Sequence, residues 1–129
     1  MKALVTGGTG FVGSHLIDAL LKRGGAVTAL VRTPGKAAGL AALGFRLVRG
    51  DLDAQAALRE AAEGAEVVYH VAGRVSARDD AEFLHANRDG TATLLGAVAE
   101  ISTPRFVFVS SLAAAGPAMK LAQSMTFRP

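Results

Sequence analysis

Eight residues, Thr6-Gly7-Gly8-Thr9-Gly10-Phe11-Val12-Gly13, constrain the fold of this chain more than any other stretch. An apolar run, Ala3-Leu4-Val5, leads into them, and an amphipathic one, Ser14 to Leu21, leads out. That pattern is a strand, a tight glycine turn and a helix. The first N–H groups of a helix lack internal partners and the helix dipole is positive there, so a phosphate is the natural guest above the turn. Glycine at this spacing has three tasks in a dinucleotide-binding turn. Gly7 permits the turn, Gly10 lets a pyrophosphate approach the backbone, and Gly13 lets the helix press on the strand. A bland Gly-rich turn is the alternative, and the flanking strand and helix patterns weigh against it.

The rest of the chain repeats the alternation. Ala26 to Val31 is a second strand, too apolar to alternate, as in a parallel sheet covered on both faces. Thr33-Pro34 opens a short helix that Gly44 stops, and Phe45 to Arg49 is a third strand whose charges place it near an edge. Asp53 is the expected cap of a helix running to Ala62 and stopped at Gly64. Glu66 to Val71 is strand four, Asp80 to Ser102 a long helix, and Arg105 to Val109 strand five. With short links and right-handed crossovers, this order gives an α/β, doubly wound parallel sheet of order 3-2-1-4-5. The domain is expected over residues 1–117, with 118–129 as an irregular tail apart from a short helix near Met119 to Met125. Strand five is left with an open edge, which offers a surface for a dimer.

Composition narrows the class. Half of the 129 residues are hydrophobic and 19% are charged, which excludes disorder and suits one domain with a real core. No apolar run is long enough to span a bilayer and no signal peptide is read, so the expected location is the cytoplasm. Cysteine is absent, which removes disulfides and thiolate metal sites. The net charge of +3 comes from cations scattered among acids, with few aromatics and no Trp; this suits an anionic small ligand better than nucleic acid. His15, His70 and His85 show no metal-ligand spacing, and no G-x-S-x-G elbow surrounds Ser110 or Ser111.

Five motifs in order make the chain resemble the extended short-chain dehydrogenase/reductase family, with its Rossmann-type, NAD(P)-dependent epimerases, dehydratases and dihydroflavonol-reductase-like enzymes. They are the Thr6–Gly13 turn, Gly50-Asp51-Leu52, His70-Val71-Ala72-Gly73, Asn87-Arg88-Asp89-Gly90-Thr91, and Phe106 to Ser111. The resemblance covers about residues 1–117. It implies cofactor contacts from Thr6, Gly7, Gly10, Phe11, Val12 and Gly13, from Asp51 and Leu52 at the adenine, and from Val71, Ala72 and Gly73 beside the ribose and nicotinamide. It also implies a role for Asn87 and a catalytic role for Ser111.

Alternatives stay open at several of these positions. Asp51 is either an adenine contact or only a turn residue. Asn87, poor for a helix interior, either bends the helix, holds a water, or caps a local kink with Gly90. Arg32, about 19 residues after Gly13, stands where an acid would select NAD and an Arg accommodates the 2′-phosphate of NADP. With Lys36 nearby it favours NADP(H) over NAD(H); the other reading is a solvated Arg at a strand end.

One departure decides the activity expected. The family's Y-x-x-x-K pair has no counterpart: Tyr69 is the only tyrosine, inside strand four, and Lys120 is the only lysine beyond Ser111. Without that phenol, proton transfer to a substrate lacks its agent and Ser111 is vestigial. The expectation is the amino-terminal, dinucleotide-binding portion of a longer oxidoreductase or epimerase, inactive alone and binding no substrate by itself. The alternative is a complete, non-catalytic sensor or a module completed by a partner.

Overall fold

The computed structural model describes residues 1–37, 44–101 and 104–116. Strands β1 (Lys2–Thr6), β2 (Ala26–Val31), β3 (Arg46–Arg49), β4 (Val67–His70) and β5 (Arg105–Phe108) are all parallel, in the order β3-β2-β1-β4-β5. This is the order expected from the alternation of strand and helix patterns. The helices are α1 (Phe11–Lys22), α2 (Gln55–Ala62), α3 (Asp80–Leu84) and α4 (Gly90–Ile101).

The two-residue period of the strands sorts the core into two layers. Ala3 and Val5 pack with Ile17 and Leu20 of α1, whereas Leu4, between them, packs with Leu58 of α2 and Leu94 and Val98 of α4. In β4, Val67 joins the α1 layer and Val68 the other. Both faces are therefore covered, which is why β1 and β2 read as continuous apolar runs. Leu4, Ile17, Leu58 and Leu94 are 0% exposed, and truncating one of them to Ala would cost about 2–5 kcal/mol.

Several boundaries differ from expectation for local reasons. The helix expected over 80–102 is two helices joined by one π-turn, His85–Asp89, in which the Gly90 N–H reaches the His85 carbonyl. Asp53 does not cap α2. Its N-cap is Ala54 with no side-chain bond, because the Asp53 carboxylate meets His85 Nε2 at 3.0 Å instead. The segment after Pro34 is one tight helical turn, Pro34–Ala37, and the remainder of the helix expected there lies outside the described residues. So do the tail over 118–129 and the short helix near Met119 to Met125. A further short turn, Leu112–Ala115, follows β5. Among the described residues, no strand pairs with the outer side of β5, where Phe108 and Val109 are exposed.

Candidate functional site

The strand order reverses between β1 and β4, so the loops leaving their carboxyl ends flank a crevice. One rim is the glycine turn. Gly7 has φ of +72°, a conformation L side chains rarely adopt, and an added Cβ would lie 2.7 Å from the Ala72 nitrogen. A Cβ on Gly13 would lie 2.1 Å from the Gly7 carbonyl oxygen, so the first turn of α1 rests on the backbone of the glycine turn. Gly10 differs, since a Cβ there meets only that same oxygen, at 3.3 Å, and otherwise faces open space. Gly10 is the N-cap of α1, with no side-chain cap bond and no acidic residue in the first turn. Among the described residues the amino end of α1 thus has no side-chain cap, and Phe11 and Val12 beside it are exposed.

The other rim is the segment after β4. Val71 packs against the α1 layer, Ala72 is half-buried and Gly73 exposed. Asn87, in the π-turn, accepts from the Arg74 N–H at 2.8 Å and donates to the Arg74 carbonyl at 3.0 Å. Farther along, Asp79 caps α3 by accepting from the Glu82 N–H. The Glu82 carboxylate in return takes the Arg78 N–H and both the Arg74 and Arg78 side chains. These bonds, the backbone one first, hold the Glu82 carboxyl below the usual carboxylate range. The loop is fastened at both ends.

Between the rims lies a polar group with no exposure. His70 is 1% exposed and stands beside its register partner Thr6, with Thr6 Oγ1 2.7 Å from Nδ1. Its Nε2 lies 2.8 Å from Thr91 Oγ1, and Thr91 in turn donates to the Asn87 carbonyl. Thr6 Oγ1 also accepts from the Ala72 N–H at 3.2 Å. The rings of Phe106 and Phe108 flank the imidazole. Burial pushes the His70 pKa down, so the ring is neutral near pH 7.

The remaining sequence-predicted residues are spread along the carboxyl edge. Arg32 is exposed directly after β2, and Lys36 lies in the turn that follows. Asp51 accepts from the Asp53 N–H at 2.9 Å, so it does form a turn, and the side chain stays exposed. Leu52 packs into the α2/α4 layer, where a Cβ on Gly90 would come within 2.9 Å of it. Ser111 caps the turn after β5, its Oγ accepting from the Ala113 N–H at 3.1 Å, which leaves the hydroxyl proton free to donate. Tyr69 packs on the α1 side of the sheet.

Sequence reasoning brought out Thr6, Gly7, Ala72 and Asn87, which the structure gathers at one place. It quoted His70 and Thr91 only within motifs and gave them no role, yet they join the four. The signal at His70 was present: like Thr6 it is a polar residue that ends an apolar strand, on the same parity as Leu4 and Val68.

The chain is similar to known proteins over nearly all of its length. It is 42% identical to a 4-hydroxy-2-methyl-3-oxo-4-farnesyl-3,4-dihydroquinoline-1-oxide ketoreductase of Stigmatella aurantiaca, over 86% of this chain and 34% of the relative. It is 41% identical to a ceramide reductase of Caulobacter vibrioides, over 89% of this chain and 36% of the relative. The fold matches UDP-glucuronic acid 4-epimerase from Bacillus cereus, solved in complex with NAD, with a TM-score of 0.77 and 30% identity, covering 92% of this chain and 43% of that one. The chain spans about a third of the length of these two curated relatives. Residues 3–128 match the model of the NAD dependent epimerase/dehydratase family, and the chain belongs to that family.

Proposed function

We propose that this chain binds a nicotinamide dinucleotide in the crevice between the glycine turn and the segment after β4. It is the cofactor-holding portion of an extended short-chain dehydrogenase-type oxidoreductase or epimerase. The observation that carries this is the packing of Gly13 on the Gly7 carbonyl, which sets an uncapped helix amino end over a turn with room at Gly10. The NAD in the Bacillus cereus structure supports the same choice of ligand. Such a dinucleotide supplies a hydride donor or acceptor when bound.

The residues then divide the ligand. The N–H groups of Phe11, Val12 and Gly13 face the pyrophosphate, while Arg32 and Lys36 take a 2′-phosphate and so favour NADP(H). Asp51 and Leu52 lie toward the adenine, and Val71, Ala72 and Gly73 toward the ribose and nicotinamide, with Asn87 fixing that segment. Ser111 holds a proton for a reacting oxygen. We assign no general acid/base to this chain, because its single tyrosine, Tyr69, lies in β4 and packs on the α1 side of the sheet. We therefore assign cofactor binding without turnover to this chain alone. The relatives, both named as reductases, favour reduction as the parent reaction. The outer edge of β5, which no strand among the described residues pairs with, favours a second reading, a module that a partner completes.

Titration of the chain with NADPH and NADH, followed by nicotinamide fluorescence, tests the proposal. Saturable binding of both, tighter for NADPH, is expected. Binding of neither overturns the dinucleotide reading, and equal affinities remove the role given to Arg32.

A further inference from the structure

The hydrogen bonds around His70 run in one direction. Thr91 gives its single hydroxyl proton to the Asn87 carbonyl, so its oxygen must accept from His70 Nε2. Thr6 Oγ1 accepts from the Ala72 N–H and gives its own proton to His70 Nδ1. Only the neutral Nε2–H tautomer satisfies both neighbours, and burial favours that neutral form. The line Ala72, Thr6, His70, Thr91, Asn87 then closes on itself, because the Asn87 side chain returns to both backbone groups of Arg74, two residues from Ala72. Gly73 sits inside this ring of bonds, and a Cβ there would lie 3.1 Å from Asn87 Oδ1. Aligned hydrogen bonds in a low-dielectric interior strengthen one another.

We propose that His70 is a positioning residue for the dinucleotide: through Thr6 Oγ1 it fixes the glycine turn against Ala72, and through Thr91 it ties that turn to the helix carrying Asn87. Thr6 is the residue before Gly7, and Gly7 itself lies against the Ala72 nitrogen, so the bond from Thr6 to His70 sets the spacing of the two rims. The groups that contact the imidazole come from β1, β5 and α4 (Thr6, Phe106, Phe108 and Thr91), and none carries a charge. The proposal rests on the dinucleotide reading above.

Two substitutions separate the two links. His70→Asn keeps an acceptor where Nδ1 stood, toward Thr6, and loses the bond to Thr91. His70→Gln keeps a donor where Nε2 stood and loses the bond to Thr6. Both variants should melt below the wild type. NADH affinity should split: within about threefold of wild type for His70→Asn and at least about tenfold weaker for His70→Gln, a loss of about 1.4 kcal/mol or more. Affinities that both match the wild type, or that fall equally in the two variants, overturn the proposal. Nitrogen-15 NMR of the wild-type imidazole gives a check that needs no variant, with a bare Nδ1 and a protonated Nε2 expected at neutral pH. A protonated Nδ1 overturns the proposal even if His70→Gln fails to fold. Failure of the wild type to bind NADH or NADPH at all is a different result, which removes the dinucleotide reading itself.

Discussion

Asn87 holds both backbone groups of Arg74, accepting from its N–H at 2.8 Å and donating to its carbonyl at 3.0 Å, as a neighbouring strand would. The π-turn at His85–Asp89 is what carries this side chain. Helix interiors disfavour Asn, and here the side chain is spent on a second segment of chain. Asn87→Ala removes both bonds, so it should destabilise the fold by about 1–3 kcal/mol. The Arg74 amide should also exchange faster with solvent. An unchanged exchange rate at Arg74 would show that the segment is held by the Glu82 bonds instead.

The two glycines of the helix start should respond differently to substitution. Gly13→Ala drives a methyl to within 2.1 Å of the Gly7 oxygen, and a fixed clash of that kind belongs to the rare losses above about 4 kcal/mol. Gly10→Val faces space on all sides but one. It should leave the melting temperature within a few degrees and weaken dinucleotide binding by about a hundredfold or more, about 2.7 kcal/mol. Thermal melts beside fluorescence titrations separate the two outcomes, and tight binding by Gly10→Val would move the ligand away from this turn.

Arg32→Asp should reverse the order of the cofactors. An acid at the end of β2 accepts from a ribose 2′-hydroxyl and repels a 2′-phosphate. NADPH affinity should fall by at least about tenfold while NADH affinity holds or rises, about 1.4 kcal/mol of discrimination. An order unchanged by the substitution would assign the preference to other residues.

The sheet was legible because its determinants are periodic and local. Apolar runs of strand length, glycine stops such as Gly44 and Gly64, and the turn at Gly7 each signal one element, and their alternation leaves one economical topology. The site was legible where a motif names its own geometry, as at Gly7, Gly10 and Gly13. What escaped was pairing at long sequence separation. Nothing near Asp53 announces that its carboxylate will turn to His85, 32 residues on, and leave Ala54 at the head of α2. Nothing near Asn87 shows Arg74 as its partner, 13 residues back, although the difficulty of placing Asn in a helix marked the position as special.

Stability should depend on pH through His70. Its pKa is lower in the folded chain than in the unfolded one, because burial disfavours the charged ring. Between those two values the unfolded chain binds more protons, so stability rises with pH across that window. The contribution is therefore whole above the ordinary histidine pKa of about 6.5 and is lost progressively as pH falls below it. Denaturant melts from pH 8 to pH 5 should show this decline, reduced in His70→Asn. An identical decline in that variant would assign it to other groups.

The most direct measurement of the central claim is the change in backbone amide chemical shifts of the isotope-labelled chain on adding NADPH. The largest shifts should fall at Gly10, Phe11, Val12 and Gly13 and at Val71, Ala72 and Gly73, with saturation at each. Shifts confined to the opposite, amino-terminal edge of the sheet, or no saturable shift at those seven residues, would contradict it.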